Sequence, residues 1–360
     1  MFSKKTILVC PLDWGIGHAT RCVPIIKILT ELNQRVIIAA DGAPMALLEK
    51  AFPSLDFIKF PGFRPHYSKS NSQVFEVIKQ IPGILKSIRE DHFFLEKIVK
   101  QTKADAVISD NRFGAYSNEV ESVFITHQLH IQTPKPLSAI KPLLDIVNKH
   151  SIKKYSSCWI PDFMDDDNLS GNLSRPVFKG IKTNYIGPLS RFSALNIEKN
   201  PEKTDLLIML SGPEPQRSLL ENILLYQLGY LQLKTTILRG LPDENTQPEA
   251  TGNIEFLNHA SDIKIASLIR NARFIVARAG YSTIMDLVAL GKSATLIPTP
   301  GQTEQAYLAQ YLSGKKRFNF MAQNDVNLSK IIEKEHVSVI SEPFAMVNTE
   351  LHLRQWIKNL

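Results

Sequence analysis

Cysteine is scarce in this sequence of 360 residues, and its scarcity excludes a disulfide framework. The three cysteines are odd in number, widely spaced and set among apolar neighbours; they are Cys10, Cys22 and Cys158. Long apolar runs are missing as well, because the run that follows Lys5 already ends at Pro11. Such a run is too short for a signal sequence or a membrane span. We therefore expect a reduced protein of the cytoplasm.

Signatures of nucleic-acid and metal binding are absent too. The sequence has no basic run interleaved with aromatics, no zinc-finger spacing and no RNP-like segment. Its net charge of +7 therefore favours an anionic membrane or a phosphorylated substrate over nucleic acid. The acidic run Asp165–Asp167 lies beside Asn168 and Gly171 and is interpreted as a solvated hinge loop. No other cluster has metal-ligand spacing, so we expect no metal ion.

Apolar strand-like runs alternate regularly with helical patterns, which is typical of parallel α/β sheets. At this length, with 44% hydrophobic and 21% charged residues, we expect two domains. In the first half the pattern predicts strands at Thr6–Cys10, Arg35–Ala40, Asp56–Phe60, Ala104–Ser109, Val123–Thr126 and Ser157–Pro161, and helices at Ala19–Asn33 and Ala43–Ala51.

The stretch Asp162–Arg191 contains adjacent acids, Asn and Gly residues and few periodic apolar positions, so it is interpreted as an inter-domain region. After it, the alternation of strand and helix patterns restarts. The pattern then predicts strands at Asp205–Ser211, Lys234–Arg239, Ile254–Leu257, Phe274–Ala277, Ala294–Pro298 and Val337–Ile340, and helices at Arg217–Leu228 and Asn348–Leu360. We expect two Rossmann-like domains whose parallel sheets face each other across a cleft. Their predicted bounds are 1–186 and 187–345, followed by a C-terminal helix over 346–360.

A glycine-rich turn, Gly15-Ile16-Gly17-His18, lies between the first predicted strand and the first predicted helix. Glycines at this place let a ligand come close to the carboxyl end of the sheet, and a helix N-terminus favours a neutral imidazole. His18 is the candidate general base, with helix capping as the alternative. The turn lacks the third glycine and the ribose-binding acid of a dinucleotide fingerprint, so NAD binding is disfavoured and no cofactor is expected.

A second turn follows the predicted strand Phe274–Ala277 and contains Ala279 and Gly280. Such a turn, with the start of the next helix near Ser282, forms an anion site suited to a phosphate. Asp286 lies one helical turn further and can accept hydrogen bonds from two vicinal hydroxyls; an acid placed for the helix dipole is the alternative. The adjacent loop offers partners for sugar hydroxyls, unless it is only a polar surface loop: Gln302, Glu304 and Gln305.

Two further features remain open to more than one interpretation. Asp110 and Arg112 follow a predicted strand, and they are candidates for a second acid or base and for a phosphate ligand; their mutual ion pair is the alternative. His127 follows the next strand and is a candidate of the same kind. The basic amphipathic stretch Val74–Val99 could rest on an anionic membrane, or it could form a pair of helices packed on the sheet.

With these motifs, the chain resembles nucleotide-sugar glycosyltransferases of the GT-B fold. Within that group it resembles glycosyltransferase family 28, the family of the murein N-acetylglucosaminyltransferase that makes lipid II. The resemblance is strongest over Ile254–Leu312 and Gly15–Arg21. It implies two Rossmann-like domains, a UDP-sugar donor bound mainly by the second domain, an acceptor bound by the first, and no metal.

The resemblance also implies roles for single residues in the second half. Arg278-Ala279-Gly280 matches the family's Arg-Ser-Gly turn at the donor diphosphate, and Thr283 matches its following threonine. Asp286 stands where the family has a ribose-binding glutamate. Gln305 matches the first of two glutamines that touch the donor sugar, whereas Ala306 replaces the second.

Other matches and departures lie nearer the middle of the chain and at its start. Phe256-Leu257 matches a segment whose backbone contacts uracil, and Gly187–Arg191, ending in Arg191, is similar to a segment near the diphosphate. In place of the family's Gly-rich loop, Ser211–Arg217 offers Ser211, Gly212 and Arg217. His18 matches an N-terminal loop histidine. The pattern Gly15-x-Gly17-His18-x-x-Arg21 is also similar to UDP-sugar hydrolases of nonulosonic acid synthesis.

The resulting hypothesis is a metal-independent transferase that moves a hexosyl or N-acetylhexosaminyl group from a UDP-sugar to a glycan or lipid-linked acceptor, such as a cell-envelope precursor. Peripheral contact with the inner face of the membrane is compatible with it. His18 would act as base, helped by Asp110, while Arg191, Arg217 and the Gly280 turn would stabilise the departing diphosphate. A UDP-sugar hydrolase or epimerase on the same fold, and a non-catalytic nucleotide-sugar sensor, are the alternatives.

Overall fold

A computed structural model describes residues 3–63, 73–193, 195, 204–241, 244, 246–333 and 347–360. The chain divides into two compact units. The first contains the described residues up to Arg191 together with the C-terminal helix, and the second contains those from Phe192 to Glu333. The stretch Asp162–Arg191, interpreted from its sequence as an inter-domain region, belongs to the first unit.

The first unit is built on a seven-stranded sheet whose neighbouring strands are all parallel, in the order β3-β2-β1-β4-β5-β6-β7. Its strands are β1 (Thr6–Pro11), β2 (Arg35–Ala40), β3 (Asp56–Lys59), β4 (Ala106–Asp110), β5 (Glu121–Ile125), β6 (Ser157–Ile160) and β7 (Thr183–Tyr185). Its helices are α1 (Ile16–Glu31), α2 (Gly42–Ala51), α3 (Gln73–Thr102), α4 (Lys141–Ile152) and, at the C-terminus, α10 (Val347–Lys358).

The second unit has a six-stranded sheet of the same kind, in the order β10-β9-β8-β11-β12-β13. Its strands are β8 (Thr204–Met209), β9 (Thr235–Leu238), β10 (Ile254–Leu257), β11 (Ala272–Ala277), β12 (Thr295–Leu296) and β13 (Asn319–Phe320). Its helices are α5 (Gln216–Leu228), α6 (Asp262–Asn271), α7 (Tyr281–Ala289), α8 (Thr303–Gly314) and α9 (Leu328–Glu333).

Continuous apolar runs place the central strands inside both cores. All five residues of β4 are buried, and Ile7, Leu8 and Val9 of β1 are fully inaccessible to solvent. A strand covered by helices on both faces has no solvent-facing side, which is why these runs do not alternate with polar residues. In each sheet the strand order reverses at its centre, between β1 and β4 and between β8 and β11. Open α/β sheets bind ligands at the carboxyl ends of the strands flanking such a reversal.

Helix α10 completes the first unit rather than the second. The Trp356 ring lies 5.1 Å from the Trp159 ring, edge to face, and Trp356 Nε1 donates to Glu121 at 2.9 Å. Thr349 Oγ1 donates to the Ile186 carbonyl at 2.6 Å. The C-terminal segment is therefore anchored to β5, β6 and the end of β7 by both apolar and polar contacts.

Most predicted elements are confirmed, with a few differences. Ser157–Pro161 was predicted as the last strand of the first sheet, but β7 follows it and pairs with β6. The sequence did not indicate β7 because its three residues are only half-buried and form no apolar run. The stretch interpreted as a pair of helices is the single helix α3. Strand β13 was not predicted. The predicted strand Val337–Ile340 lies outside the described residues.

Within the described part of the chain, no helix is both long enough and apolar enough to cross a lipid bilayer.

Candidate functional site

The turn after β1 brings His18 to the end of β4. Helix α1 begins at Ile16, so His18 lies in its first turn. Asp110 is the last residue of β4 and is in register with Pro11 at the end of β1. His18 Nδ1 lies 2.6 Å from Asp110 Oδ1. The two residues thus meet at the reversal point of the first sheet, although 92 positions separate them in sequence.

Arg21, one turn further along α1, holds the same carboxylate. Its Nε donates to Asp110 Oδ2 at 3.0 Å and its Nη2 donates to Asp110 Oδ1 at 2.5 Å. Asp110 is completely buried, and the Arg21 side chain is only 4% exposed. A buried carboxylate needs such a partner, because an unpaired charge in the protein interior is costly.

The charges in this cluster determine which nitrogen of His18 carries a proton. Burial alone would raise the pKa of Asp110, but the Arg21 charge and the His18 hydrogen bond lower it to about 2. An ionised Asp110 can only accept, so His18 Nδ1–H donates to it and Nε2 keeps its lone pair. Burial and the Arg21 charge lower the pKa of His18 below its usual value. His18, whose side chain is 19% exposed, is therefore a neutral imidazole with the geometry of a general base.

The start of α7 is the candidate anion site in the second unit. Gly280 is the N-cap of α7, and Ala279 beside it is fully buried. A Cβ at Gly280 would meet only Thr283 Oγ1, at 3.8 Å, so there is room beside the backbone for a ligand. The N–H groups of the first helical turn and the helix dipole favour a phosphate there. Asp286, one turn along, is 7% exposed.

Arg278, immediately before this turn, is almost completely buried. Its Nη2 donates to the Gln216 carbonyl at 2.6 Å, and its Nη1 lies 3.4 and 3.3 Å from the carbonyls of Ile297 and Pro298. No carboxylate among the described residues pairs with it. Burial lowers its pKa to about 10, so the guanidinium stays charged at neutral pH. A positive charge is thus fixed where the loops after β8, β11 and β12 meet.

The loop between β12 and α8 is ordered by its own glutamines. Gln302 is the N-cap of α8; Gln305 Oε1 accepts from Thr299 N at 2.9 Å, and Gln305 Nε2 donates to Gln302 Oε1. Glu304 lies in the first turn of α8. A cavity of about 310 Å³ is lined by this loop and by the segment after β13 that contains Gln323.

Known proteins share this arrangement of two parallel sheets. The model of a family described as Glycosyl transferase family 1 matches residues 7–337. The chain belongs to this family. It is therefore a glycosyltransferase enzyme, and its two Rossmann-like units are those of the GT-B fold.

Two relatives and one solved structure show low sequence identity to this glycosyltransferase. An uncharacterized glycosyltransferase of Methanosarcina acetivorans is 24% identical over 319 residues, covering 84% of this chain and 81% of the relative. The UDP-N-acetylglucosamine–N-acetylmuramyl-(pentapeptide) pyrophosphoryl-undecaprenol N-acetylglucosamine transferase of a Sulfurihydrogenibium species is 23% identical over 303 residues, covering 81% and 74%. Among solved structures, the calicheamicin glycosyltransferase CalG4 has a TM-score of 0.62 at 12% identity, covering 99% of this chain and 94% of that one.

The second unit of this glycosyltransferase departs from the expected contacts at Arg217. Its guanidinium is 5% exposed and donates to Glu214 at 2.6 Å and to Glu221 at 2.8 Å. Arg239 holds the other side of Glu221, with Nε 2.6 Å from its carboxylate. Arg217 therefore braces the loop after β8, and direct contact with a diphosphate would require these ion pairs to open. In the same loop Gly212 adopts φ +98°, a conformation that favours glycine.

The remaining predicted positions are distributed over both units. Leu257 ends β10, where its carbonyl accepts from Arg239 N at 2.8 Å. Ser211 precedes Gly212 at the end of β8, and Arg191 lies half-buried in the first unit. Gly15 is the N-cap of α1, and a Cβ there would meet nothing within 4 Å.

Arg112 does not take either role that its sequence position suggested. It donates to Asp91 of α3 through Nε at 2.8 Å and Nη2 at 3.0 Å, and to the carbonyls of Phe60 and Pro61. Arg112 is 1% exposed. Its guanidinium carbon lies over the Phe60 ring, 3.5 Å from the ring centroid. Arg112 therefore joins α3 to the sheet; it neither pairs with Asp110 nor presents its charge to a phosphate.

Sequence reasoning placed Arg21 in a motif but gave it no role. Its signal is a cation three positions after His18 on a helix whose neighbouring residues Ala19, Cys22 and Ile25 are buried. A basic residue on the apolar face of a helix needs an internal partner. Groups of histidine, cysteine and acid that could hold a metal ion are absent from the described residues.

Proposed function

We propose that this glycosyltransferase moves a hexosyl group from a UDP-sugar to a hydroxyl acceptor without a metal ion. The observation that carries the proposal is the hydrogen bond of His18 Nδ1 to Asp110, which leaves Nε2 as a base at the carboxyl edge of the first sheet. In the reaction His18 takes the proton of the acceptor hydroxyl as its oxygen attacks the anomeric carbon. Asp110 stabilises the imidazolium that forms and does not itself act as base.

In this proposal the second unit holds the donor. The start of α7 at Gly280 and Thr283 binds the diphosphate, and the charge of Arg278 stabilises the negative charge that develops on the leaving UDP. Asp286 accepts from the ribose hydroxyls, and the backbone at Leu257 contacts the base. Ser211 and Gly212 complete the diphosphate contacts of this unit, with Arg217 acting through the loop that it braces.

The hexosyl group itself is assigned to the loop at the start of α8. Gln302, Glu304 and Gln305 offer hydrogen-bonding groups for sugar hydroxyls. The named relative from Sulfurihydrogenibium, a UDP-N-acetylglucosamine transferase acting on a pyrophosphoryl-undecaprenol acceptor, supports a UDP-N-acetylhexosamine donor and a lipid-linked cell-envelope acceptor, in line with the resemblance to family 28. Ala306 stands where the resemblance implies a second glutamine that contacts the donor sugar. The identity of the donor sugar is therefore the first property to measure.

Substitution of the base tests the proposal directly. His18→Ala should abolish UDP release from a UDP-sugar in the presence of acceptor, while UDP binding measured by calorimetry stays within about threefold of the parent, because the diphosphate contacts lie elsewhere. Arg35→Ala, which alters an exposed residue at the start of β2, is the control and should keep full activity. Turnover retained in His18→Ala would sink the assignment of the base.

Family membership favours transfer over the hydrolase, epimerase and sensor alternatives. The same measurement separates them, because a hydrolase releases UDP without acceptor. A sensor would bind UDP-sugar and raise the melting temperature without any turnover across an acceptor panel.

We further propose that the first unit contacts an anionic membrane surface. Helix α4 turns apolar side chains outward, since Leu143, Ile146 and Val147 are all exposed on one face. Lys141 and Lys153 flank this face. An apolar stripe with basic residues at its ends is the pattern of helices that lie on anionic lipid, and such contact would bring the enzyme to a lipid-linked acceptor.

A further inference from the structure

The position of Arg21 has a consequence for how the base is controlled. Arg21 Nη2 is 2.5 Å from Asp110 Oδ1 and also 2.7 Å from His18 Nδ1, and Asp110 Oδ1 is 2.6 Å from that same nitrogen. The three groups form a tight triangle in a buried place. His18 Nδ1 has one hydrogen and directs it to the ionised carboxylate, so the guanidinium donates to Asp110 and only lies beside the ring.

Arg21 fixes the carboxylate at two points. Nε and Nη2 hold Oδ2 and Oδ1 respectively, and this fork leaves Asp110 no freedom to rotate about its carboxyl axis. A lysine could supply the charge but not the two-point contact. The orientation of the His18 ring, and with it the direction of Nε2, therefore depends on Arg21, whose side chain is only 4% exposed.

Arg21 also changes what happens after the proton is taken. A lone buried carboxylate beside an imidazole stabilises the imidazolium and would retain the proton on the ring. Two charged groups face His18, Arg21 from α1 and Asp110 from β4, and the titratable His127 faces it from the loop after β5. Because Arg21 balances Asp110, the ring lies beside an almost neutral pair and returns to its neutral form once the reaction is over.

We propose that Arg21 is a positioning residue for the His18 base, which it orients through Asp110 and keeps ready for the next turnover by opposing its charge. This rests on the proposed function of His18. In the transfer step the acceptor O–H proton passes to His18 Nε2, the acceptor oxygen bonds to the anomeric carbon, and the bond from that carbon to the diphosphate breaks with its electron pair leaving on UDP. The proton then passes from Nε2 to solvent, and Arg21 favours this last event.

The experiment compares Arg21→Met and Arg21→Lys with the parent by ¹⁵N NMR titration of the His18 imidazole without any substrate. Removing the charge in Arg21→Met should raise the pKa of His18 by about 1 unit or more. Arg21→Lys should give a smaller rise because the charge remains but the fork is lost. Arg35→Met, which alters an exposed arginine paired with Asp56, should leave the titration unchanged.

Kinetics supply the second measurement. The acid limb of kcat/KM in Arg21→Met should move to higher pH by the same amount, and kcat should fall about tenfold with KM for the donor nearly unchanged. An unchanged or lowered pKa of His18 in a folded Arg21→Met or Arg21→Lys protein would overturn the proposal. The titration needs no turnover, so this result is distinguishable from a failure of the proposed function, which His18→Ala tests separately.

Discussion

At the residue scale, Arg278 of the second unit shows how a buried charge is held by backbone carbonyls. It is 1% exposed, carries a charge and is held by three backbone carbonyls. Guanidinium is suited to this because its planar fork can serve several acceptors at once. Its contacts tie the first residue of α5 to the end of β12, on either side of the turn that precedes α7.

Replacing Arg278 by methionine should therefore affect both stability and donor binding. Loss of the donors to three carbonyls should lower the free energy of unfolding of the second unit by about 1–3 kcal/mol. UDP affinity should fall as well, because the fixed positive charge is gone. Urea unfolding and calorimetry measure the two effects, and Arg273→Met, at an exposed position of β11, is the control. Equal UDP affinity in Arg278→Met and Arg273→Met would remove Arg278 from the donor site.

The lowered pKa of His18 makes a separate prediction about pH. The base is active when neutral, so kcat/KM should stay flat as the pH falls through 6.5 and decline only at lower pH. Asp110, with a pKa of about 2, stays ionised throughout and contributes no limb to the profile. A decline centred at or above pH 6.5 would contradict the described environment of His18.

The same shifts determine how stability changes with pH. The folded state binds fewer protons at His18 than the unfolded state once the pH falls below 6.5, so this residue lowers the stability progressively in that range. The pKa of Asp110 is lowered from 3.8 to about 2, so its stabilising contribution is complete above about pH 4 and disappears as the pH falls towards 2.

Local sequence located some of these residues and not their partners. His18, Asp110 and Gly280 follow strands and could be placed at the edge of a sheet by the rule for parallel α/β folds. The ion pairs could not be predicted in this way, because their members lie far apart in sequence. Arg112 pairs with Asp91 at a separation of 21 positions, and Arg21 pairs with Asp110 at a separation of 89 positions. Such pairs depend on how α1 and α3 pack on the sheet, which no short pattern contains.

At the element scale, helix α5 is held to the sheet by a chain of buried and half-buried charges. Glu221 lies between Arg217, at 2.8 Å, and Arg239, at 2.6 Å, and its pKa is lowered by these partners against the effect of burial. Arg239 follows β9, so Glu221 connects α5 to the loop after β9. The resemblance implies a Gly-rich loop at this place in the chain. Here the ion pairs instead hold the loop before α5 in position.

Glu221→Gln should loosen this element. Two cations would lose their shared carboxylate, and the free energy of unfolding should fall by about 1–3 kcal/mol. Because the loop after β8 is a proposed diphosphate contact, KM for the donor should rise while kcat changes little. Urea unfolding and steady-state kinetics give the two quantities. Glu249→Gln, at an exposed position, should match the parent, and a stability equal to that control would show that the network contributes nothing.

Strands that form continuous apolar runs were easier to predict from the sequence than short, half-buried strands. Strands β1, β2 and β10 were located within a residue because they are apolar runs between polar turns. Strand β7 has three half-buried residues and β13 has two, and so short an element gives no periodic signal. Their existence depends on pairing with β6 and β12, which tertiary structure provides.

At the scale of the whole molecule, the chain is basic, with a net charge of +7, and its apolar exposure is uneven. Helix α4 exposes Leu143 by 60% and Ile146 by 64%, whereas its other face carries the buried Asn148 and Ile152. The sequence suggested membrane contact for the stretch that forms α3. Helix α3 also exposes Leu85, Phe93 and Phe94, but at the helical repeat these three are spread round the helix. The exposed apolar residues of α4 share one face, although a helix in water normally exposes its polar face, and we therefore choose α4 as the membrane-contacting surface.

Ile146→Glu should therefore weaken binding to vesicles that contain anionic lipid. A carboxylate at the centre of the exposed stripe is repelled by the anionic surface and cannot enter the interface, so we expect a loss of severalfold in a sedimentation assay. Leu351→Glu, on the exposed face of α10, is the matched control, since Leu351 is 54% exposed and lies on another helix. Binding should also decrease with added salt, because the lysines flanking α4 act through screened charges. If the parent protein fails to bind anionic vesicles, or if both variants lose binding equally, α4 is not the membrane-contacting surface.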